Sequence, residues 1–432
     1  MAKKSQIRVD LNLNIRGLTK SATLAINERC FQLKEEGRNI YKLGFGQSPF
    51  PVPEPVVESL RQNAHQKDYL PVAGLRSLRE AIAHYWKRKH NLDFSPNEIL
   101  VGPGSKELLF LLQLVYYGDL IIPTPSWVSY SPQALIVGRR VNWVKTHPEN
   151  DWRLTPEELE SICRTDPDRP RILILNYPAN PTGVTYTIDK LKKIAEIARK
   201  YKVILLSDEI YGELHHKGQH VSVARFYPEG TIISSGLSKW CGAGGWRLGM
   251  FTFPSNLHWL KEAMSVVASE TFTATSAPVQ YAAVTAFEEN EEIEAYLAGC
   301  RRILRYLGKL TYNHLREFNV FAPKPEGGFY LFPNFSNYRD GLRNHGIHTS
   351  EQLCSKILED TGIALLPSYD FGRPSEELTA RLSYVDFDGA RALKLLEEYS
   401  GKNLDKQFIE QCFPKMREAL NLLEEWLSRV RN

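Results

Sequence analysis

The sequence is short of the features that most directly announce a function. Its six cysteines, in 432 residues, are Cys30, Cys163, Cys241, Cys300, Cys354 and Cys412. They are scattered, with no C-x-x-C and no ligand spacing, which argues against a disulfide framework or a structural zinc site. Long hydrophobic runs are missing as well. The longest, Leu108 to Tyr117, contains Gln113 and is too short to span a bilayer. The first thirty residues are charged and polar, without the apolar core of a signal peptide. A soluble cytoplasmic protein with reduced thiols and no membrane partner is expected. Charge of one sign is not in excess: the net value is +4 with 24% charged residues, so no face is forced onto nucleic acid. The basic clusters Lys87-Arg88-Lys89 and Arg301-Arg302 are short and read as solvated helix surface. There is no repeat, no low-complexity tract, no Walker A spacing and no G-x-G-x-x-G in a dinucleotide context.

What is present is enough apolar material, 43%, for one large core and a smaller second one. Up to about residue 65 the chain is poor in strand signals and carries a proline-rich turn, Pro49 to Pro55, after Leu43-Gly44-Phe45-Gly46. From about residue 75 short apolar strands alternate with helices. The strands are Ile99–Val101, Leu120–Ile122, Arg140–Val144, Arg171–Leu175, Val203–Ser207, Thr231–Ser234 and Leu248–Phe253. The helices are Leu75–His90, Lys106–Tyr117, Thr155–Cys163, Thr187–Lys200 and His258–Ser269. This alternation predicts an α/β fold, its large domain a mainly parallel sheet covered by helices on both faces. Such sheets take ligands beyond the carboxyl ends of their strands. From about 315 a smaller α/β unit follows, with strands Phe329–Phe332 and Thr379–Tyr384 and a helix after Pro414 whose Met416, Leu420, Leu423 and Leu427 share one face. The expected division is 1–65, part of the small domain; 66–314, the large domain; and 315–432, the rest of the small domain, which both chain ends build together.

The residues that carry chemistry stand at strand ends. Lys239 closes Ser234-Ser235-Gly236-Leu237-Ser238-Lys239; burial or a neighbouring cation would lower its pKa and free the amine to attack a carbonyl. Arg247, in Gly244-Gly245-Trp246-Arg247, suits a phosphate or an ordinary salt bridge. Asp208 ends an apolar strand, so it is expected half-buried and in need of a partner. That partner is either a metal, for which no second ligand is well placed, or a protonated heterocycle nitrogen, which a carboxylate would keep cationic. Tyr211 and Asn180 can each donate a hydrogen bond to a ring substituent, or be satisfied turn residues. The turn Gly102-Pro103-Gly104-Ser105-Lys106 opens a helix whose first N–H groups could hold a phosphate. Trp127 could stack on a flat ring or belong to the core.

Taken together, these residues resemble the pyridoxal-phosphate aminotransferases of class I/II, the aspartate aminotransferase fold type. The resemblance runs over residues 35 to 400. It rests on Tyr69-Leu70-Pro71-Val72-Ala73-Gly74 with Leu78-Arg79, Asn180-Pro181-Thr182-Gly183, Ser207-Asp208-Glu209-Ile210-Tyr211, Ser238-Lys239 with Gly245-Trp246-Arg247-Leu248-Gly249, and Arg381-Leu382-Ser383-Tyr384. It implies pyridoxal 5'-phosphate as cofactor, with Lys239 its covalent anchor and later the proton carrier. Asp208 would pair with the pyridine nitrogen, Tyr211 and Asn180 would bond the phenolic oxygen, and Trp127 would stack on the ring. Gly104, Ser105, Ser238 and Arg247 would form the phosphate pocket. Tyr69 would reach the phosphate of a partner subunit, which implies a homodimer with composite sites. Arg381 would clamp the substrate α-carboxylate, with Gly46 in the segment that closes over it. Many relatives have a serine where this chain has Gly236, which puts one phosphate hydrogen bond in doubt.

Lys106, next to the phosphate turn, resembles a lysine that holds the distal carboxylate in one subgroup of aspartate aminotransferases. That favours L-aspartate with 2-oxoglutarate as the substrate pair. Alanine, aromatic or diaminopimelate-like donors remain alternatives, as does a β-lyase or decarboxylase on the same cofactor. A ligand-binding regulator on this fold is the non-enzyme alternative; such proteins carry an added DNA-binding domain, for which no N-terminal segment here is long enough.

Overall fold

The computed structural model describes residues 12–16, 18, 22–399 and 402–431. Seven strands form the large sheet: β1 (Ile99–Gly102), β2 (Asp119–Thr124), β3 (Val141–Lys145), β4 (Arg171–Asn176), β5 (Ile204–Asp208), β6 (Thr231–Gly236) and β7 (Gly249–Thr252), in the order β1-β7-β6-β5-β4-β2-β3. Neighbours from β3 through β6 are parallel, and β7 runs antiparallel to both β6 and β1. The central strands are buried along nearly their whole length. Continuous apolar runs such as Ile204-Leu205-Leu206 therefore face helices on both sides rather than alternating with polar residues.

Helices cross between the parallel strands because the sequence starts them clearly. Thr155 caps the helix Pro156–Arg164 in a reciprocal box with Glu158, and Thr187 caps Ile188–Lys200 by accepting from the Lys190 N–H. Leu191, Ile194, Ala195 and Ala198 of the second helix turn inward, the 3-4 spacing of a half-buried helix.

A second, antiparallel sheet has three strands, β8 (Tyr330–Leu331), β9 (Leu366–Pro367) and β10 (Ala380–Ser383), in the order β8-β10-β9. The early chain joins this unit: Tyr41 bridges Ile363, and the Leu43 carbonyl accepts from the Ser383 N–H at 2.7 Å. The C-terminal helix Pro414–Arg431 buries the expected stripe of Met416, Leu420, Leu423 and Leu427, and Trp426 besides.

Two local readings change. The proline-rich turn leads directly into a helix, Glu54–Asn63, with Pro53 at its cap and Pro55 in its first turn, where a missing N–H costs nothing. Arg301 is not plain helix surface: it donates to the carboxylate and carbonyl of Glu213, a largely buried residue that also accepts from Tyr85 at 2.5 Å. Among the described residues, the six cysteines are free and buried, and no helix is long and apolar enough to cross a membrane.

Candidate active site

A cavity of about 390 Å³ opens beyond the carboxyl ends of β4, β5 and β6. Lys239, Asp208, Tyr211, Asn180, Trp127 and Arg247 line it, together with Ser105, Lys106, Ser238 and Gly46. Residues up to about 200 positions apart are thus gathered because parallel strands all end on the same side of the sheet.

Lys239 follows β6 by three residues. Its Nζ donates to the Gly46 carbonyl at 2.6 Å and sits 5.6 Å from the centre of the Tyr211 ring. The side chain is partly buried, and among the described residues no carboxylate forms an ion pair with it. Burial first, then the nearby Arg381 charge, lower its pKa from 10.5 to about 8, against the opposing pull of Asp208. The lowered pKa makes the neutral amine, a nucleophile and proton acceptor, far more accessible near neutral pH than in an exposed lysine.

Asp208 ends β5 and is buried. Its Oδ2 accepts from the Tyr130 hydroxyl at 2.6 Å, and its Oδ1 lies 3.4 Å from the Ile210 N–H and 3.5 Å from Ser234 Oγ. Among the described residues it has no cationic partner. Burial therefore dominates and raises its pKa to about 6, although the Tyr130 hydrogen bond acts the other way. A carboxylate held like this is stabilised by a cation entering the cavity.

At the other end of the cavity the helix Ser105–Val115 begins, capped by Gly104 in a positive-φ conformation, φ 93°. A Cβ on Gly104 would strike the Arg247 guanidinium, so only glycine lets that group lie against the helix start. Arg247 donates to the carbonyls of Gly244 at 2.9 Å and Pro103 at 3.3 Å, and no carboxylate neutralises it among the described residues. The helix-start N–H groups, the helix dipole and a guanidinium that meets carbonyls but no carboxylate among the described residues suit this end to an anion. Lys106 is exposed as a residue, but its amine tucks 5.6 Å over the Trp127 ring. Partial burial, then Arg247, lower its pKa.

Arg381 lies behind the cavity wall, buried. It donates to Asn180 Oδ1 at 3.0 Å and to the Gly44 carbonyl at 2.6 Å, while its Nε has no partner. The rings of Tyr330 and Phe371 flank it at 4.7 and 5.1 Å. With the Asn180 oxygen engaged, the donor end of that amide is what remains for the cavity. The Tyr211 hydroxyl is 2.9 Å from that of Tyr330, and a Cβ on Gly46 would collide with the same Tyr330 hydroxyl.

The structure thus brings together all but three of the residues singled out from the sequence. Gly104 and Arg381 stand one layer back. Tyr69 is 91% exposed and outside the cavity. Three residues that the sequence reading passed over belong here. Tyr130 holds Asp208, and Asn176 donates from its side chain to the Asp208 carbonyl at 2.9 Å and accepts from the Asn180 N–H at 2.8 Å. Tyr330 couples Tyr211 to Arg381. Tyr130 opens the helix Tyr130–Ile136, three residues after Trp127, and no spacing rule announces its bond to Asp208; Tyr330 had only its place in an aromatic strand.

Residues 38–387 match the family described as aminotransferase class I and II. The chain is a class I and II aminotransferase. It is similar to the aspartate aminotransferase of Geobacillus stearothermophilus, with 34% identity over 86% of this chain and 93% of the relative. It is likewise similar to that of Bacillus subtilis, at 32% over 92% and 98%, and to the asparagine–oxo-acid transaminase of Streptococcus mutans, at 31% over 87% and 94%. Among solved structures, the aspartate aminotransferase of Thermus thermophilus with maleate superposes with a TM-score of 0.82 at 28% identity, covering 97% of this chain and all of the other. The cavity of this aminotransferase is therefore the place where amino-group transfer is to be sought.

Proposed function

We propose that the enzyme moves an amino group between L-aspartate and 2-oxoglutarate, using pyridoxal 5'-phosphate held in the cavity of Lys239. One observation carries the reading: a lysine amine and a buried carboxylate, Lys239 and Asp208, neither in an ion pair among the described residues, line one cavity whose far end suits an anion. A flat cationic heterocycle bearing an aldehyde and a phosphate answers each of these unmet demands. Asp208 would hold the ring nitrogen protonated, Trp127 would cover one face, and Tyr211 with the Asn180 amide would meet the ring oxygen. Ser105, Ser238, Arg247 and the helix start behind Gly104 would take the phosphate. When bound, this cofactor supplies the electron sink for the bond broken at Cα.

The remaining steps belong to the protein. Arg381 binds the α-carboxylate in a two-pronged contact, displacing its present bond to Gly44 and fixing which Cα bond faces the amine. Lys239 Nζ takes the Cα proton and later returns one; its depressed pKa suits both directions. The segment around Gly46 excludes water above it. Lys106 is the cation offered to a second carboxylate, and the names of the relatives support an acidic donor.

The homodimer belongs to the same reading. Tyr69, almost wholly exposed on one chain, would complete the phosphate site of the partner subunit. The large unit 66–314 then carries the cofactor and the small unit, drawn from the described residues of 1–65 and 315–432, closes over the substrate, in the cytoplasm; residues 1–11 of that division lie outside the described residues.

A panel of amino donors against 2-oxoglutarate and pyruvate tests the substrate choice. Transfer from alanine or aromatic donors in preference to aspartate would overturn it. Borohydride reduction after adding the cofactor should fix its mass to the peptide holding Lys239. Labelling at another lysine would refute the assigned anchor.

A further inference from the structure

The three last helices, Gly389–Glu397, Lys406–Cys412 and Pro414–Arg431, lie beyond the matched family residues 38–387, yet they reach the segment that carries Gly46. Gly389, the first residue of its helix and buried, abuts the backbone of that segment. A Cβ there would strike the Pro49 carbonyl and lie 2.8 Å from Phe50 Cα. Phe50 meets Phe387 edge-on at 5.8 Å, Phe387 meets Phe413 at 4.9 Å, and Phe413 meets Phe408 at 5.6 Å. Phe408 in turn contacts Tyr399 at 5.1 Å and Tyr306 at 6.4 Å. A file of edge-to-face rings therefore runs from the roof of the cavity into the C-terminal helices.

Polar contacts run beside it. The Lys42 N–H donates to Asp386 Oδ2 at 2.7 Å, the Leu43 carbonyl accepts from both the N–H and the hydroxyl of Ser383, and the Gly44 carbonyl accepts from Arg381. Two residues along, the carbonyl of Gly46 accepts from Lys239. On the other flank Tyr296 donates to the Pro51 carbonyl at 2.9 Å and meets Phe50 at 6.5 Å. The segment is thus held at both ends, and its downstream end is seated on Phe387 and Gly389.

We propose that Phe387 and Gly389 are positioning residues, which set how closely the Gly46 segment sits over the substrate carboxylate without touching the substrate. This rests on the reading that Arg381 and this segment receive the carboxylate. Losing one edge-to-face ring pair should loosen the segment by about two- to tenfold in equilibrium terms. Phe387→Ala should therefore raise the KM for L-aspartate by about that factor. The kcat and the dissociation constant for pyridoxal phosphate should stay within about twofold, since Phe387 itself does not line the cavity and the segment meets Lys239 through a single backbone carbonyl. Gly389→Ala should act in the same direction by displacing Pro49, and Phe387→Tyr should restore the ring contact and the KM.

In the cofactor-free protein, the amides of residues 43–48 should exchange faster with solvent in Phe387→Ala, those of β5 and β6 unchanged. Should Phe387→Ala not fold, Phe387→Leu keeps apolar volume while removing the ring edge, and serves the same comparison. Unchanged KM and unchanged exchange would overturn the proposal, as would an equal loss of cofactor affinity, which signals general loosening. Arg381→Ala is the companion variant. If it raises the KM while Phe387→Ala does not, this inference fails alone. If Arg381→Ala leaves the KM unchanged, the carboxylate reading fails and takes this role with it.

Discussion

Replacing Lys239 by methionine should make the cofactor-free protein more stable at pH 7. The ammonium group sits where burial and Arg381 pull its pKa from 10.5 down to about 8. Lowering a pKa by one corresponds to about 1.36 kcal/mol, so holding the charged lysine in the fold costs about 3 kcal/mol below pH 8. Methionine keeps the unbranched shape and removes the charge. It also removes the 2.6 Å bond to the Gly46 carbonyl, worth about 1 kcal/mol, and the part of the amine wetted by the cavity is screened. The net gain is about 2 kcal/mol. With an unfolding entropy of about 2.1 cal/mol/K per residue over 432 residues, the midpoint should rise by about 2 °C. The sign of the pH dependence follows from the depressed pKa. Between pH 8 and 10.5 the unfolded chain binds more protons than the folded one, so the wild-type protein gains stability over that window. The gap is therefore full below about pH 8 and closes toward 10.5. Scanning calorimetry of both cofactor-free proteins from pH 6.5 to 10.5 measures it. A variant less stable at pH 7, or a gap independent of pH, would refute the reasoning.

Asp208→Asn should weaken pyridoxal phosphate binding at least about thirtyfold, the lower end of what losing one partner of a buried charge pair costs. In the wild-type protein the same affinity should fall as pH drops through about 6, where the Asp208 carboxyl takes up a proton; fluorescence titration across pH reads both. Lys106→Ala should cut kcat/KM for aspartate about tenfold or more relative to alanine, the worth of a charged hydrogen bond, and an equal loss for both donors would assign Lys106 to the cofactor instead. Tyr69→Phe should weaken cofactor binding several-fold, as for one hydrogen bond, and dilution of the wild-type protein until its subunits separate should do the same; a cofactor affinity independent of protein concentration across that separation would argue against a shared site.

The large sheet was legible because its cause is local. Apolar runs bounded by Gly, Pro and capping threonines mark strand and helix ends within a residue or two, as at Thr155 and Thr187, and one-sided strand ends then place Asn180, Asp208 and Lys239 together. The helix Glu54–Asn63 was hidden because its start is read as a turn: two prolines sit at the cap and in the first turn, where they are tolerated, and the apolar face is narrow. Arg301 looked like surface because its partner, Glu213, lies 88 residues away, a pairing no spacing rule contains. The Gly236 departure also becomes physical in three dimensions. A Cβ there would lie 2.7 Å from the Leu248 carbonyl oxygen, so a serine would demand a shift of the β6–β7 pair.

The neighbours Asp208 and Glu209 show where sequence reasoning stops and why. Both are buried carboxylates, one peptide apart, and burial pushes both upward. Asp208 closes β5 and Glu209 follows just outside it, and there the likeness ends. Glu209 accepts from Ser207 at 2.7 Å, from Ser222 at 2.5 Å and pairs with His220 at 2.8 Å; these donors outweigh burial, and its pKa falls. Asp208 meets hydroxyls and an N–H but no cation among the described residues, and its pKa rises to about 6. The difference is set by a histidine eleven residues on, carried back by a loop, and by what is missing on the cavity side. A carboxylate already satisfied by the fold has no need of a ligand. One that the fold has desolvated, with no ion pair among the described residues, is a destabilising element until something cationic enters, and that imbalance, more than the order of motifs along the chain, is what sets Asp208, which lines the cavity, apart from Glu209.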